Sequence, residues 1–375
     1  MLLTQDQEMI RDAVRAFAQE QLWPHAAQWD RDHTFPKAAH KGLAELGAYG
    51  ICVPEQYGGA GLDYVTLALV LEEIAAGDGG TSTAISVTNC PYNAILMKYG
   101  SEAQKQQWLV PAARGDVLGA FCLTEPHVGS DASAIRTTAT RDGDGYVLNG
   151  TKQFITSGKN GQAAVVIAVT DKAAGKKGLS AFMVRTDNPG WKVAGIEKKL
   201  GQHSSDTAQI LLENCRVSEA DRIGEEGEGY KIALSALEGG RIGIASQSVG
   251  MARSALDFAI AYAKEREAFG TAIINHQAVA FRLAECATKL EAARQLIWHA
   301  ASLRDAGRPC LKEAAMAKLF ASETAEAVCS VAIQTLGGYG VTEDFPVERI
   351  YRDVRVCQIY EGTSDVQKII ITRAL

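Results

Sequence analysis

The chain has 375 residues, with 38 basic and 44 acidic side chains that give a formal net charge of −6. Hydrophobic residues make up 47% of it and charged residues 22%, which is typical of a soluble globular protein and excludes disorder as its main character. Nonspecific nucleic-acid binding is disfavoured, because it requires clustered lysine and arginine. No uncharged apolar run approaches the roughly 18 residues that cross a membrane, so we expect no membrane span.

The N-terminus has acidic residues within its first dozen positions and no apolar core, so we expect neither a signal peptide nor a transit peptide. The eight cysteines form no CxxC pair and the seven histidines form no HExxH motif. This pattern predicts no metal site and no disulfide framework, and it is typical of reduced thiols. We therefore expect a cytoplasmic protein of bacterial type.

Three zones with different hydrophobic patterns follow one another along the chain. Residues 1–118 have apolar side chains at helical three-to-four spacing. Residues 119–229 contain short runs rich in valine, isoleucine and leucine, and 139–148 is typical of a hairpin. Helical spacing returns in residues 230–375. The sequence thus predicts an α+β protein with three domains at these bounds. Its predicted strands include Ala163–Val169, Leu179–Arg185 and Thr207–Glu213.

Two segments of the β zone are candidates for holding a planar or anionic group. Phe121–Asp131 is a strand end followed by a Gly-Ser-Asp turn, whose exposed N–H groups suit a phosphate, a carbonyl or a ring nitrogen. In Gly150–Gly158, strand alternation predicts Phe154 and Thr156 on one face, where a ring and a hydroxyl could hold a flat cofactor. The alternatives are an ordinary turn capped by Asp131 and a half-buried strand.

Two segments of the C-terminal zone could approach an anion or a ligand. Arg266–Gly270, with Gln277, places a guanidinium near a helix end, where it could bind phosphate. The alternative is a helix that Gly270 ends. The glycines of Gln334–Gly340 allow close approach of the backbone, or simply end a helix.

The segment Ile359–Asp365 contains an acid between apolar neighbours. Glu361 follows Ile359 and Tyr360, and apolar surroundings raise the pKa of a carboxyl group towards that of a useful base. The alternative is a capping arrangement in which Thr363 or Ser364 begins the last helix.

Together these segments resemble the acyl-CoA dehydrogenase family, most closely its short-chain, butyryl-type branch. The resemblance covers essentially the whole chain. One departure lies in the N-terminal signature, where Val128 replaces a residue that is usually small. The matching segments are Cys122–Asp131, Lys152–Ser157, Gly201–Arg216, Gly239–Ser246, Arg266–Gly270, Gln334–Asp353 and Tyr360–Ser364.

The resemblance implies an N-terminal α-helical domain, a middle β-barrel-like domain and a C-terminal four-helix bundle. It implies FAD as the cofactor, lying between the β and C-terminal domains and across a subunit interface. The implied assembly is a homotetramer, a dimer of dimers. The implied electron acceptor is electron-transferring flavoprotein.

The resemblance also implies a reaction, in which an acyl-CoA thioester is oxidised to the trans-2-enoyl-CoA. A base removes the α-proton and the β-hydride passes to flavin N5. Glu361 aligns with that base. Another subgroup places its base immediately before the arginine that aligns with Arg241, where this chain has Gly240, and Glu238 aligns with an acidic contact near CoA.

Other roles carry over from the family position by position. The residues expected beside the flavin are Phe121, Leu123, Thr124, Gly129, Ser130, Phe154 and Thr156. Those expected to reach FAD bound mainly to the neighbouring subunit are Arg266, Phe269, Gln277, Gln334, Gly337 and Gly338, with Thr363 and Asp365 near the adenosine half. The expected substrate contacts are Ser130, Glu238, Arg241, Tyr360, Gly362 and Arg373.

The sequence also bears on the acyl chain that the protein accepts. The family places the floor of the acyl pocket around Leu67–Leu71 and Ser86–Ile95. The stretch from Leu67 to Met97 contains no lysine or arginine, which disfavours a dicarboxylate substrate. Tyr92 either shortens this pocket or only packs. We expect a short- to medium-chain acyl-CoA, with a branched-chain acyl-CoA dehydrogenase or a same-fold oxidase as alternatives. Glu361 disfavours the oxidase, and the charge balance disfavours a DNA-binding relative.

Overall fold

The computed structural model describes residues 2–375, which form helices at both ends of the chain and an eight-stranded sheet between them. The α-helices are α1 Gln5–Phe17, α2 Trp23–Asp32, α3 Lys37–Glu45, α4 Tyr64–Gly77, α5 Gly79–Val87, α6 Ala94–Tyr99, α7 Glu102–Gln104, α8 Val110–Ala113, α9 Gly229–Glu265, α10 Gln277–Asp305, α11 Leu311–Leu336, α12 Pro346–Val354 and α13 Ser364–Arg373. The strands are β1 Gly119–Cys122, β2 Thr138–Asp142, β3 Gly145–Thr156, β4 Ala163–Val169, β5 Leu179–Arg185, β6 Trp191–Ile196, β7 Thr207–Ser218, β8 Arg222–Ile223, β9 Glu267–Ala268 and β10 Thr271–Ala272.

The middle sheet has the order β6-β7-β3-β2-β4-β5-β8, and β1 pairs in parallel with β4. The hairpin predicted at 139–148 is confirmed, because β2 and β3 pair antiparallel across a two-residue turn. The strands predicted at 163–169 and 179–185 have those bounds, whereas β7 is longer than predicted and ends at Ser218.

Helix α4 lies at the centre of the helical part and is buried along nearly all its length. Asp63 caps its N-terminus, because Oδ1 accepts the N–H of Thr66 at 2.7 Å. The two acids within it, Glu72 and Glu73, are buried but paired with arginines. Their guanidinium partners are Arg15, Arg253 and Arg294, which come from α1, α9 and α10. These ion pairs join four helices.

Helix α9 runs for 37 residues, which is about 55 Å. Three glycines on it allow neighbouring elements to approach its backbone. A Cβ at Gly239 would lie 2.8 Å from the Tyr64 hydroxyl, and one at Gly250 would overlap the backbone of Glu72. A Cβ at Gly243 would contact the side chains of Leu71 in α4, Ser86 in α5 and Cys90 after α5. Glycine is therefore required where α4 and α5 pack on α9.

Within residues 2–375, no helix is both long and apolar enough to cross a membrane. The same residues include no group of three or more histidine, cysteine, aspartate or glutamate side chains that could hold a metal ion. All eight cysteines are free thiols.

Candidate active site

Glu361 lies in a tight turn between the end of α12 and the start of α13. Its φ is +54°, in the left-handed region that non-glycine residues rarely adopt, and Gly362 follows with φ +91°. Thr363 then caps α13, since its hydroxyl accepts the N–H of Val366 at 3.3 Å. The predicted cap is thus confirmed, and it fixes the turn from which the Glu361 side chain projects.

The Glu361 carboxylate enters the helical core and lies over α9. A Cβ built on Gly240 would be 2.6 Å from Oε2, so a larger residue at position 240 would have to displace the carboxylate. Oε2 is buried without a hydrogen-bond partner among the described residues. Burial raises the pKa of Glu361 to about 7, and the nearby charges of Arg241 and Lys318 oppose the rise. The raised pKa expected from the sequence is thus confirmed.

The backbone after Glu361 is held by side chains from three helices. Gln367 of α13 donates to the carbonyl of Gly362 at 2.8 Å, and Lys318 of α11 donates to the same oxygen at 2.7 Å. The amide oxygen of Gln367 accepts a hydrogen bond from Arg241 Nε of α9 at 3.0 Å. Arg241 is 5% exposed and its Nη1 has no partner, which leaves a buried donor beside the base.

Glu238, the residue before Gly239 on α9, bonds to polar side chains from outside that helix. Glu238 accepts hydrogen bonds from Arg304 at 2.9 Å and from the thiol of Cys310 at 3.3 Å. The Arg304 guanidinium lies 4.3 Å from the ring centroid of Tyr64. Glu238 therefore presents a neutralised carboxylate about half a turn from Gly240.

Tyr360, immediately before the base, faces a buried polar network. Its hydroxyl donates to the side-chain oxygen of Gln247 at 2.5 Å, and Gln247 donates to Thr83. Thr83 in turn donates to Gln202 at 2.6 Å. The hydroxyl of Tyr360 is thus committed to the interior, so any contact with substrate falls to its ring.

The two sequence segments of the β zone come together at one end of the sheet. The N–H of Gln153 donates to the carbonyl of Thr124 at 2.9 Å. Lys152, fully buried, donates to the carbonyl of Leu123 at 3.1 Å and to Glu125 at 2.9 Å. The Phe121–Asp131 loop and the end of β3 therefore form one surface.

On this surface the strand departs from simple alternation. Phe154 has φ +57°, and the β3–β7 register shifts between Lys152 and Ile155. The strand is therefore not regular at Phe154. Phe154 is 62% exposed, Ile155 is buried and Thr156 is partly buried, which agrees with the prediction that Phe154 and Thr156 share a face. Gly129 and Ser130 are also exposed. An exposed aromatic ring and an exposed turn on the same surface fit a flat, anionic cofactor.

The other predicted cofactor residues lie at the far end of α9. Arg266 follows the last residue of α9, and the turn after Gly338 reaches the same end because Phe345 packs on both Tyr262 and Tyr339. Gly240 and Arg266 are 26 residues apart in one helix, or about 39 Å. This second cluster therefore cannot reach the Glu361 region of its own chain. It comprises Arg266, Phe269, Gln277, Gln334, Gly337 and Gly338.

Gly270 does not end the helix as one interpretation of the sequence proposed. Helix α9 stops at Glu265, and Gly270 (φ +80°) lies in the turn between β9 and β10. This hairpin holds Phe269 at 98% exposure. Asp365 and Arg373 are exposed on α13.

The roles of four side chains around the site were not predicted from the sequence. Lys318 and Gln367 hold the Glu361 turn, while Lys152 and Glu125 hold the loop at the sheet end. The signal for Lys318 was a charged residue inside an alanine-rich helix. A single such residue is normally solvent-exposed, so the signal is weak.

Comparison with known proteins gives matches over almost the whole chain. Three family models match in order, the acyl-CoA dehydrogenase N-terminal domain at 4–116, the middle domain at 120–215 and the C-terminal domain at 227–375. The chain is 48% identical to the human short-chain specific acyl-CoA dehydrogenase, mitochondrial, over 98% of this chain and 90% of the relative.

Two solved structures extend the likeness to the fold. Butyryl-CoA dehydrogenase from Megasphaera elsdenii has a TM-score of 0.98 at 39% identity, covering 100% of this chain and 99% of that one. A glutaryl-CoA dehydrogenase from Mycobacterium smegmatis in complex with FADH2 has a TM-score of 0.94 at 34% identity, covering 99% and 95%. With three domain models matched in order, the chain belongs to the acyl-CoA dehydrogenase family of oxidoreductases.

Proposed function

We propose that this protein oxidises a short-chain acyl-CoA to the trans-2-enoyl-CoA, with Glu361 removing the α-proton. The observation that carries the proposal is the Glu361 carboxylate itself. Its Oε2 is buried and without a hydrogen-bond partner among the described residues, and a pKa of about 7 leaves much of the carboxyl group ionised near neutral pH. A desolvated carboxylate of this kind is suited to taking the weakly acidic α-proton of a thioester.

The cofactor proposed is FAD. The exposed Phe154 ring, the turn at Gly129–Ser130 and the Thr156 hydroxyl would hold the flavin at the sheet end. When bound, FAD supplies the acceptor for the β-hydride. The resemblance implies that the backbone N–H of Glu361 bonds to the thioester oxygen, where it would stabilise developing negative charge.

The second cofactor cluster supports a shared site. Because it lies about 39 Å along α9 from Gly240, Arg266 and its neighbours can meet FAD only in another subunit. The nearly complete exposure of Phe269 fits such a role. We therefore propose a homotetramer in which pairs of subunits complete each other's FAD sites.

The space along α9 supports a short acyl chain. One turn beyond Gly240, a Cβ at Gly243 would lie 2.7 Å from Ser86 Oγ and 3.2 Å from Cys90 Sγ and Leu71 Cδ1. An acyl chain leaving Glu361 in this direction meets these side chains within about 4.5 Å of helix rise. Tyr92 packs on Gly119 of β1.

The remaining parts of the proposal follow the resemblance. Electron-transferring flavoprotein is the proposed acceptor of the electrons, and the cytoplasm is the proposed location. Glu361 supports a dehydrogenase over a same-fold oxidase.

The test is anaerobic titration of the purified, FAD-loaded protein with butyryl-, hexanoyl-, octanoyl-, isobutyryl- and isovaleryl-CoA, following flavin absorbance. We expect butyryl-CoA to bleach the wild type, and Glu361→Gln to bind it without bleaching. Preferred bleaching by octanoyl-CoA contradicts the short-chain proposal. Flavin that no acyl-CoA reduces contradicts the proposed reaction.

A further inference from the structure

We propose that Lys318 is a positioning residue for the base, holding the Glu361–Gly362 turn in place and supplying the positive charge that keeps Glu361 partly ionised. The inference rests on the proposed function, in which Glu361 takes the α-proton. It concerns a residue outside the reacting groups, since Lys318 bonds to the peptide after the base.

Lys318 occupies an unusual place for a lysine. It lies in the middle of α11, where its side chain is 0% exposed. Its ammonium donates to the carbonyl of Gly362 at 2.7 Å and bonds directly to no carboxylate among residues 2–375. Burying a cation without a directly bonded carboxylate is costly, so such a lysine requires a compensating use.

The first use is mechanical. Glu361 and Gly362 both have positive φ, and a glutamate in the left-handed region is strained unless its surroundings hold it. The Gly362 carbonyl accepts from Lys318 and from Gln367, and Gln367 also reaches the Glu361 carbonyl at 3.3 Å. Hydrogen bonds from two helices thus hold the strained turn. They thereby keep the Glu361 carboxylate over Gly240.

The second use is electrostatic. The charged and titratable groups that face Glu361 are Arg241 from α9, Lys318 from α11 and the Cys90 thiol from the segment after α5. Lys318 itself faces Cys357, Glu361, Arg241 and Glu323. Both cations lower the pKa of Glu361 against the effect of burial. Burial lowers the pKa of Lys318 to about 8, so the ammonium persists at neutral pH.

A purely structural lysine would behave differently from a positioning one. Loss of packing alone would lower stability and FAD content but leave the pH dependence of the remaining active enzyme unchanged. Loss of the charge would raise the pKa of Glu361, so the rising limb of the pH–rate profile would move to higher pH.

The experiment compares Lys318→Met with wild type in stopped-flow flavin reduction by butyryl-CoA between pH 5.5 and 9, with rates divided by bound FAD. We expect the limb to move up by about one pH unit and the plateau rate to fall, with little change in KM. Gln367→Leu removes the neutral hydrogen bond to the same carbonyl and should slow the reaction. Because Gln367 also holds Arg241, the position of the limb is judged against Lys318→Arg and not against this variant.

Two further variants keep the test decisive. Lys318→Arg retains a cation and donor, and it should restore the wild-type limb. If Lys318→Met does not accumulate with FAD, then Lys318→Gln, which keeps a donor but no charge, carries the same expectation. An unshifted limb in the neutral variant overturns the inference while leaving the proposed function intact. Absence of flavin reduction in the wild type overturns both.

Discussion

The carboxylate of Glu361 lies over Gly240, so closely that a Cβ at position 240 would be 2.6 Å from Oε2. The two residues are 121 positions apart in sequence and meet where α13's leading turn crosses α9. Position 240 is also where another subgroup of the family carries its base, as the resemblance implies. The two alternative base positions therefore converge on one point in space, and this chain has an acid at one and glycine at the other.

Gly240→Ala should displace the base without unfolding the helix. Alanine favours a helix by about 1 kcal/mol over glycine, so the cost arises only from the overlap with Glu361. Because a misplacement of about 1 Å can cost 10²-fold in rate, we expect flavin reduction by butyryl-CoA to slow by about 10²-fold. Stopped-flow absorbance at saturating substrate measures this.

The control for that variant is Ser235→Ala, on the same helix but away from the base. It should reduce flavin at the wild-type rate. A Gly240→Ala enzyme that retains full rate would mean that Glu361 works from another position.

Glu361→Gln should stabilise the protein in a pH-dependent way. The pKa of Glu361 is about 7 in the folded state against 4.5 ordinarily, so the folded state binds the proton more tightly. Wild-type stability therefore falls as the pH rises from about 4.5 to about 7, by up to about 3 kcal/mol, and glutamine avoids this loss. Thermal denaturation of the FAD-loaded proteins should show equal midpoints near pH 4.5 and a higher midpoint for the variant at pH 8.

The exposed substitution Glu267→Gln serves as the reference for that comparison. It removes one negative charge that is exposed, and it leaves the buried carboxylate of Glu361 in place. Should it produce the same pH-dependent gain, net charge rather than burial of Glu361 would be responsible.

Several local features could be predicted from the sequence because they depend on neighbouring residues. The hairpin at β2–β3, the strand Ala163–Val169 and the cap at Thr363 all follow from turn chemistry and short-range patterns. The raised pKa of Glu361 was expected from its apolar sequence neighbours, but its cause is burial in the folded site, since Ile359 is itself 52% exposed. The domain bounds and the roles of the individual site residues stay predictions.

Other features depend on contacts that local patterns do not contain. Alternation predicted a regular strand through Phe154, but the bulge is set by pairing with β7, more than fifty residues away. Lysine is almost never fully buried, so nothing near Lys318 in sequence predicted its contact with Gly362. The contact between Glu361 and Gly240 likewise required the folded arrangement of α9 and the final turn.

The buried pair Lys152–Glu125 should control the loop at the sheet end. Glu125 accepts the N–H groups of Arg136 and Thr137 at 2.7 and 2.9 Å, so it fixes both ends of the loop through Ser130. Lys152→Met leaves this carboxylate buried without its cation, which typically costs about 3–5 kcal/mol. We expect a lower thermal midpoint and a lower ratio of FAD to protein chain.

The double variant Glu125→Gln/Lys152→Met discriminates between loss of charge balance and loss of packing. It removes both charges and should recover part of the thermal midpoint. A double variant no more stable than the sum of the single losses would show that the pair is not energetically coupled.

Cys90→Ala should lengthen the acceptable acyl chain. The Cys90 thiol lies at the contact with Gly243, and burial raises its pKa to about 12, so it remains a neutral packing group. Removing the sulfur opens space one turn beyond the base. Since one methylene in an apolar pocket is worth roughly 10–200-fold in discrimination, we expect the ratio of kcat/KM for hexanoyl-CoA over butyryl-CoA to rise about tenfold.

The matched control is Cys329→Ala, a fully buried thiol of α11 outside this contact. It should alter stability but leave the ratio of the two substrates unchanged, because a general loosening of the protein changes both rates by the same factor. If Cys90→Ala also changes both rates equally, the acyl chain does not run along α9 past Gly243. The floor of the pocket would then have to be sought on another side of Glu361.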